Sequence, residues 1–342
     1  MKKRIWILLP VLFLFIGGAF WFLKPEKKVT PGDVMITPAI FPKMEFKYVK
    51  IVNKYSDSRP IAVMINNHEQ ARKNHAGLQD AYLVYEMVAE GGITRMMAVF
   101  KDQATAKIGS VRSARHYFLD YALENDAIYV HFGWSPQAES DIKQLGVNNI
   151  NGLYDEPFWR DKTLNVNYEH TAFTSMEKLK AFIQTKKYRS TSTKELLLNY
   201  SADPIVLKDM TGAINASSVS IPYSSYVTTS YQYDSEQGVY KRSVNGVAHT
   251  DGITKLQYTA KNIIVAKIKN YSIDSYGRQT LDNIGSGDGY FITNGSSVPI
   301  TWKKSARTSQ TVYSYLDGTE ITVNDGNTFI QNVPITSAVG IQ

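Results

Sequence analysis

Two arginines and a histidine crowd the stretch IGSVRSARHY, where Arg112, Arg115 and His116 follow a Gly109-Ser110 pair. Guanidinium groups fork onto carboxylate or phosphate oxygens in pairs, which makes Arg112 and Arg115 candidate ligands for an anion. The spacing predicts a helix opening at Ser110 as N-cap, with free amides beside two arginines that share a face. The helix dipole would add about 0.3–1 kcal/mol of attraction for an anion there. The same charges have a possible internal answer. Glu86 and Glu90 stand at i, i+4 spacing on what reads as the preceding helix, LQDAYLVYEMVAE, and Asp120 and Glu124 follow further along.

Other chemistry depends on where strands end. PIAVMI runs into Asn66, Asn67 and His68; TRMMAVF leads through a short loop to Ser110; AIYVHF ends at His131 and Phe132. Ligands of open α/β sheets sit beyond the carboxyl ends of strands. If these strands share one direction, Asn66, Asn67, Arg112, Arg115, His116 and His131 gather on one rim. An enzyme built there would use His116 or His131 as general base and the arginines to stabilise developing negative charge. Glu86 and Glu90 are a reserve acid–base pair. In EPFWRDKT, Arg160 and Asp161 follow a bulky Trp159 and either line a pocket or pin a loop. Arg242, His249 and Asp251 flank Asn245-Gly246, a dipeptide that favours a tight hairpin, so cross-strand polar contact is their expected use.

Several chemistries find no support. The six histidines show no HExxH spacing, so no metal site is expected. There is no P-loop, GxSxG elbow, GxGxxG fingerprint or serine–lysine motif, and no cofactor is implied. GSGDG at 285–289 lies between β runs and reads as a turn. With no cysteine, disulfides, thiolate nucleophiles and Cys-held zinc are excluded.

The elements that must position these residues follow from hydrophobic periodicity. At 43% hydrophobic and 20% charged, the 342 residues have the composition of a folded protein. Residues 57–200 alternate short apolar runs with helical patterns, which predicts an α/β domain with a mixed sheet and flanking helices. Ser135-Pro136 should open a helix that Gly146 closes, and TSMEKLKAFIQTKKY is another helix. From 201 to 342 the chain turns to Tyr, Thr, Ser and Val in alternating runs cut by NG, DG and GSG, which predicts a β-rich, mainly antiparallel domain.

Residues 1–23 place Lys2, Lys3 and Arg4 before the uncharged run Ile5–Leu23, long enough for a transmembrane helix. The basic flank predicts a cytoplasmic N-terminus and an ectodomain outside the cell membrane, with a cleaved signal peptide as the competing possibility. Residues 24–56 carry repeated prolines and read as an extended stalk. The three basic residues of the flank account for part of the net charge of +7, leaving an ectodomain only mildly basic. Dense basic stripes interleaved with aromatics are absent, so nucleic acid is not an expected partner. An anionic envelope polymer, a lipid-linked precursor or a nucleotide would suit the arginine rim. A hydrolase or transferase acting on envelope material is the alternative, and a scaffold that docks an envelope protein through its 22 tyrosines is a third.

The stretches RPIAVMINN, EGGITRMMAVF, IGSVRSARHYF, FWRD, YKRSVNGVAHTD, KNIIVAKI, IGSGDGYFITNG and TWKK span most of residues 59–335. In them the chain resembles the YerB-like family of exported bacterial lipoproteins, which carry the N- and C-terminal segments of the DUF3048 domain. The resemblance implies an envelope-facing, membrane-tethered protein and no particular activity. It departs at Asn66, where relatives carry Asp, and at Glu169-His170-Thr171, where they carry Pro-His-Asn. The family's lipid attachment has no cysteine to use here, so the run Ile5–Leu23 would take over tethering.

Overall fold

The computed structural model describes residues 49–342. Its principal sheet has eleven strands among the described residues. Across the sheet they run Ile214–Asn215, Ser296–Lys304, Gly285–Thr293, Asn262–Ile268, Thr328–Pro334, Leu83–Val88, Thr94–Phe100, Ile61–Asn66, Ile128–His131 and Asn149–Asn151, with Val312–Tyr315 alongside Ser296–Lys304. The sheet is mixed. Ile61–Asn66 is parallel to Ile128–His131, which is parallel to Asn149–Asn151, whereas Thr94–Phe100 runs antiparallel to Ile61–Asn66. Strand Thr328–Pro334 lies parallel between Leu83–Val88 and Asn262–Ile268, so strands from 57–200 and from 201–342 join in one sheet.

Both faces of this sheet are covered, and side-chain alternation sorts the residues between them. On one face Ala62, Met64, Tyr85, Met97 and Val99 meet the helix His116–Glu124 through Tyr117, Phe118 and Tyr121, and the helix Pro136–Gln144 through Ile142. On the other face Val63, Ile65, Val84, Met96 and Ala98 pack with Val219, Ile221, Tyr231, Tyr240 and Val244 of a second sheet. That sheet is antiparallel throughout and contains Ser218–Pro222, Thr228–Asp234 and Val239–Val244. The helix Met176–Thr185 covers the same face with Met176, Leu179 and Ile183. The architecture is thus a mixed sheet with flanking helices, backed by a β-rich antiparallel region.

Local signals account for several elements. Ser135 caps the helix Pro136–Gln144 by accepting from the Ala138 amide at 3.2 Å, and Gly146 follows it at φ +61°. Asn245-Gly246 turns the hairpin between Val239–Val244 and Val247–Ala248, both residues at positive φ.

Three expectations are corrected. LQDAYLVYEMVAE is not a helix: after a short 3-10 turn at Leu78–Asp80 it forms the fully buried strand Leu83–Val88. A central strand buried on both faces reads as a continuous apolar run, which periodicity alone does not separate from a helix. The next helix opens at His116, not Ser110. Residues before it are held extended by the strand ends, with the Arg112 amide donating to Met64 O at 3.1 Å and the Phe132 amide to Arg112 O at 3.0 Å. GSGDG is neither turn nor cradle but the start of the strand Gly285–Thr293, where a Cβ on Gly289 would run into the Val265 carbonyl of the adjacent strand.

Within the expected stalk, residues 49–56 pack onto the body: Val52 is buried, and the Lys50 and Ile51 amides donate to the Asp325 carboxylate. The expected transmembrane run Ile5–Leu23 and the stretch 24–48 lie outside the described residues. Among the described residues, no helix is long and apolar enough to cross a membrane.

Candidate anion-binding cleft

The parallel strands Ile61–Asn66, Ile128–His131 and Asn149–Asn151 end at the same edge, bringing Asn66, His131 and Asn151 together. The antiparallel strand Thr94–Phe100 ends at the opposite edge, with Phe100 beside Ile61, so only two of the three expected strand ends share the rim. Residues 110–114 cross it. Their backbone is fixed by bonds from the Asn66 amide to Ser110 O (2.9 Å) and from the Ala114 amide to Gly133 O (2.9 Å). This edge positions a cleft of about 460 Å³, lined by Arg112, Ser113, Phe132, Gly133, Trp134, Leu153, Arg160, Tyr168 and Glu169 among others.

The structure separates the two arginines of SVRSAR. Arg115 is buried in a fork with Glu90, its Nη2 2.8 Å from Oε2 and its Nε also bonded to the carboxylate. Glu90 also lies 3.4 Å from Arg95, whose Nη1 donates to Ser113 O at 2.8 Å. Burial works against the Glu90 charge, but Arg115 and Arg95 hold its carboxyl below the usual range. Arg115 is therefore neutralised internally, away from Arg112, and the two do not share a helix face. Arg112 keeps 27% of its side chain exposed at the cleft, with Glu169 at 3.3 Å as its ion-pair partner.

Arg160 joins it in the cleft. Its guanidinium lies between the rings of Phe132 (4.2 Å) and Tyr168 (4.1 Å), and Nη1 donates to Tyr168 O at 2.7 Å. Cation–π contact on both faces orients the group while leaving donors for a ligand. Asp161 turns elsewhere: Lys107 at 2.6 Å and Thr163 hold its carboxyl down at about 2, and it pins a loop.

The remaining rim residues serve other contacts. Asn66 Nδ2 donates to His170 Nδ1 at 2.7 Å, just behind the cleft. Asn67 points instead between the two sheets, donating to Glu86 Oε1 at 3.0 Å. The buried His131 ring bridges Gly133 O (2.8 Å) and the Asn149 side chain (3.1 Å), and burial lowers its pKa to about 4. His116 contacts Thr280 Oγ1 at 2.8 Å. Neither histidine lines the cleft beside the arginines. Among the described residues, no group of three or more His, Asp or Glu is placed to hold a metal ion.

A second polar centre lies between the sheets. Glu86 and Arg242, both fully buried, form an ion pair at 3.0 Å, and the carboxylate also accepts from Asn67, Thr94 (2.7 Å) and Thr229 (3.2 Å). Glu86 and Glu90 therefore serve different clusters and are not an acid–base pair. Arg242 Nε donates to His249 Nδ1 at 3.1 Å, the cross-strand contact that the hairpin suggested. His249 Nε2 meets His75 Nδ1 at 2.8 Å, and His75 Nε2 donates to Asn66 O. An obligate donor at one end and a carbonyl at the other fix both rings as neutral tautomers with the proton on Nε2. Burial drives His75 down to about 3 and, with Arg242 nearby, drives His249 well below the ordinary histidine range.

Sequence reasoning missed Phe132, Trp134, Leu153, Tyr168 and Glu169 as cleft residues, because they lie on connecting turns without a motif. It missed the Glu86 to Arg242 pair because the partners stand 156 residues apart. The one available signal was alternation: Arg242 shares the inward parity of Tyr240 and Val244.

Two family profiles match in tandem: "Protein of unknown function (DUF3048) N-terminal domain" over residues 49–189 and the corresponding "C-terminal domain" over 219–330. "Putative lipoprotein YerB" of Bacillus subtilis (strain 168) is 32% identical over 300 residues, which is 86% of either chain. A crystal structure of the YerB protein from Bacillus subtilis matches with a TM-score of 0.72 at 30% identity, covering 85% of this chain and 97% of that one. Tandem profiles, a relative matched over most of both lengths and a shared fold agree: the chain belongs to the DUF3048 family.

Proposed function

We propose that this chain is a membrane-associated, extracytoplasmic protein of the cell envelope that binds an anionic envelope ligand in the cleft between Arg112 and Arg160. The observation that carries this proposal is the pairing of two partly exposed guanidiniums with aromatic walls in one cleft, at the carboxyl edge of parallel strands. Arg112 is balanced there by an exposed glutamate alone, and Arg160 is oriented by rings and a carbonyl. Both can therefore turn donors toward an incoming oxyanion, whether on a wall polymer, a lipid-linked precursor or a nucleotide. Placement outside the membrane is supported by the basic and apolar N-terminus and by the lipoprotein name of the relative. With no cysteine in the sequence, the run Ile5–Leu23 would serve as a single-pass anchor with its basic end in the cytoplasm.

A thermal-shift titration with anionic wall-polymer fragments, nucleotides and lipid pyrophosphate headgroups tests the proposal. A ligand at 100 times its Kd adds about 2.7 kcal/mol of stability. Saturable stabilisation that disappears in a folded Arg112→Ala/Arg160→Ala variant is the expected result. A response that survives in this variant would place the ligand elsewhere.

A further inference from the structure

The surroundings of Glu169 refine the anion-binding proposal, on which this inference rests. The 3-10 turn Tyr168–His170 sets Glu169 at the cleft, with its side chain 52% exposed. Its two oxygens face different donors: Oε2 lies 3.3 Å from Arg112 Nη2, and Oε1 lies 3.5 Å from His170 Nε2. The proton on His170 has a fixed place. Asn66 Oδ1 accepts from the His68 amide at 3.1 Å, which leaves Asn66 Nδ2 to donate to His170 Nδ1 at 2.7 Å. A ring nitrogen that accepts carries no proton, so in the neutral ring Nε2 is the N–H. The His68 ring stacks on His170 at 4.8 Å and 13°, holding that orientation.

The His170 side chain is 1% exposed, and its Nε2 has no hydrogen-bond partner. At 3.5 Å the Glu169 oxygen is too far to satisfy it. Buried donors are nearly always paired, and one aimed at a carboxylate beside a cleft calls for a closer oxygen than the chain supplies. Partial burial raises the Glu169 pKa, but Arg112 outweighs it, so the group is a carboxylate at neutral pH.

We infer that Glu169 is a built-in occupant of the ligand's own seat, bridging Arg112 and His170 loosely until a carboxylate carried on a sugar-like ring displaces it. The seat already accommodates a carboxylate with one oxygen toward each donor. Being half exposed, Glu169 can swing outward without leaving a buried position, and exposed ion pairs hold weakly. Trp134 and the exposed side of Tyr168 not covered by Arg160 line the cleft for the apolar side of a sugar ring, and the Arg160 donors not used by Tyr168 O would serve its hydroxyls. His170 then acts as a third ligand donor beside the two arginines.

Isothermal titration of the full-length chain with glucuronate, glucose and glucose 6-phosphate tests this, using wild type, Glu169→Ala, Glu169→Gln and Arg112→Ala. Glucuronate should bind Glu169→Ala about fivefold more tightly than wild type, because an exposed ion pair no longer competes. Glu169→Gln, which keeps the shape without the charge, should move the same way. Arg112→Ala should lose binding, glucose should not bind, and the His170 ring nitrogen resonances should shift on glucuronate addition. If wild type binds glucuronate through Arg112 but neither Glu169 variant binds more tightly, the built-in occupant is refuted and the anion site stands. Binding of glucose 6-phosphate without glucuronate refutes the carboxylate seat. Failure of both anions to bind any variant refutes the seat, whereas the anion site itself falls only if the thermal-shift titration with wall-polymer fragments, nucleotides and lipid pyrophosphate headgroups is also flat.

Discussion

Replacing Glu86 with leucine should cost more stability than replacing Arg242 with methionine, although each removes half of one ion pair. Both side chains are 0% exposed. Without Arg242, the carboxylate still receives Asn67 at 3.0 Å, Thr94 at 2.7 Å and Thr229 at 3.2 Å. Without Glu86, the guanidinium remains buried with His249 at 3.1 Å as its nearest side-chain acceptor, Nη1 stays unpaired, and the Thr94 and Thr229 hydroxyls lose their acceptor, while Asn67 Nδ2 keeps Thr94 Oγ1 at 2.6 Å. Breaking a buried pair costs about 3–5 kcal/mol, and each unpaired neutral donor adds about 1 kcal/mol. Arg242→Met should therefore lose about 3 kcal/mol and Glu86→Leu more than about 5 kcal/mol. The double variant should cost less than the sum by at least about 2 kcal/mol, since the second change removes a charge already orphaned. Urea unfolding followed by circular dichroism at pH 7 measures all three. Typical domains have only about 5–15 kcal/mol in hand, so Glu86→Gln, which keeps one acceptor, gives a milder variant if the leucine chain does not fold. Single losses below about 1 kcal/mol, the reverse order, or strict additivity would refute the reasoning.

Other outcomes follow from the same structure. His75 at about 3, His131 at about 4 and His249 well below its ordinary value are all depressed from 6.5 by burial. Below 6.5 the unfolded chain takes up protons that these folded rings refuse, so stability falls with acidification, by about 4 kcal/mol between pH 7 and 5.5. A flat urea midpoint across that window would contradict the buried neutral chain. Gly289→Ala should destabilise by more than about 2 kcal/mol, because its Cβ would meet the Val265 carbonyl across the strand pair, and thermal unfolding reads the loss. Glu90→Gln leaves Arg115 and Arg95 short of their countercharge and should cost about 2–3 kcal/mol without altering ligand affinity, as urea unfolding and titration together would show.

Much of the fold could be read locally. Ser135-Pro136 and Gly146 bound a helix, and Asn245-Gly246 turns a hairpin, because caps and turns are written in adjacent residues. Leu83–Val88 was legible as apolar but not as a strand, since burial on both faces erases the alternation that would mark it. IGSVRSARHYF carried a cap residue and two arginines at helical spacing, yet backbone bonds to Met64 and Gly133 hold residues 110–114 extended and delay the helix to His116. The site was legible in the same partial way. Arg112 and Arg160 announced themselves as guanidiniums near strand ends and loops. Glu90 was legible as an internal partner for these charges, but nothing in the spacing said that Arg115 alone would turn to it, or that Tyr168 and Glu169 would fold back beside Arg112. These contacts join residues far apart in sequence, where local propensity carries no information.

The most direct test of the central claim is an equilibrium titration of the full-length chain with anionic cell-wall polymer fragments, in wild type and in Arg112→Ala/Arg160→Ala, at two salt concentrations. Binding to wild type should be saturable and weakened by salt, and at least about tenfold weaker in the double variant, with the unfolding midpoint unchanged. Equal affinity in the two proteins, or no saturable binding to wild type, would contradict it.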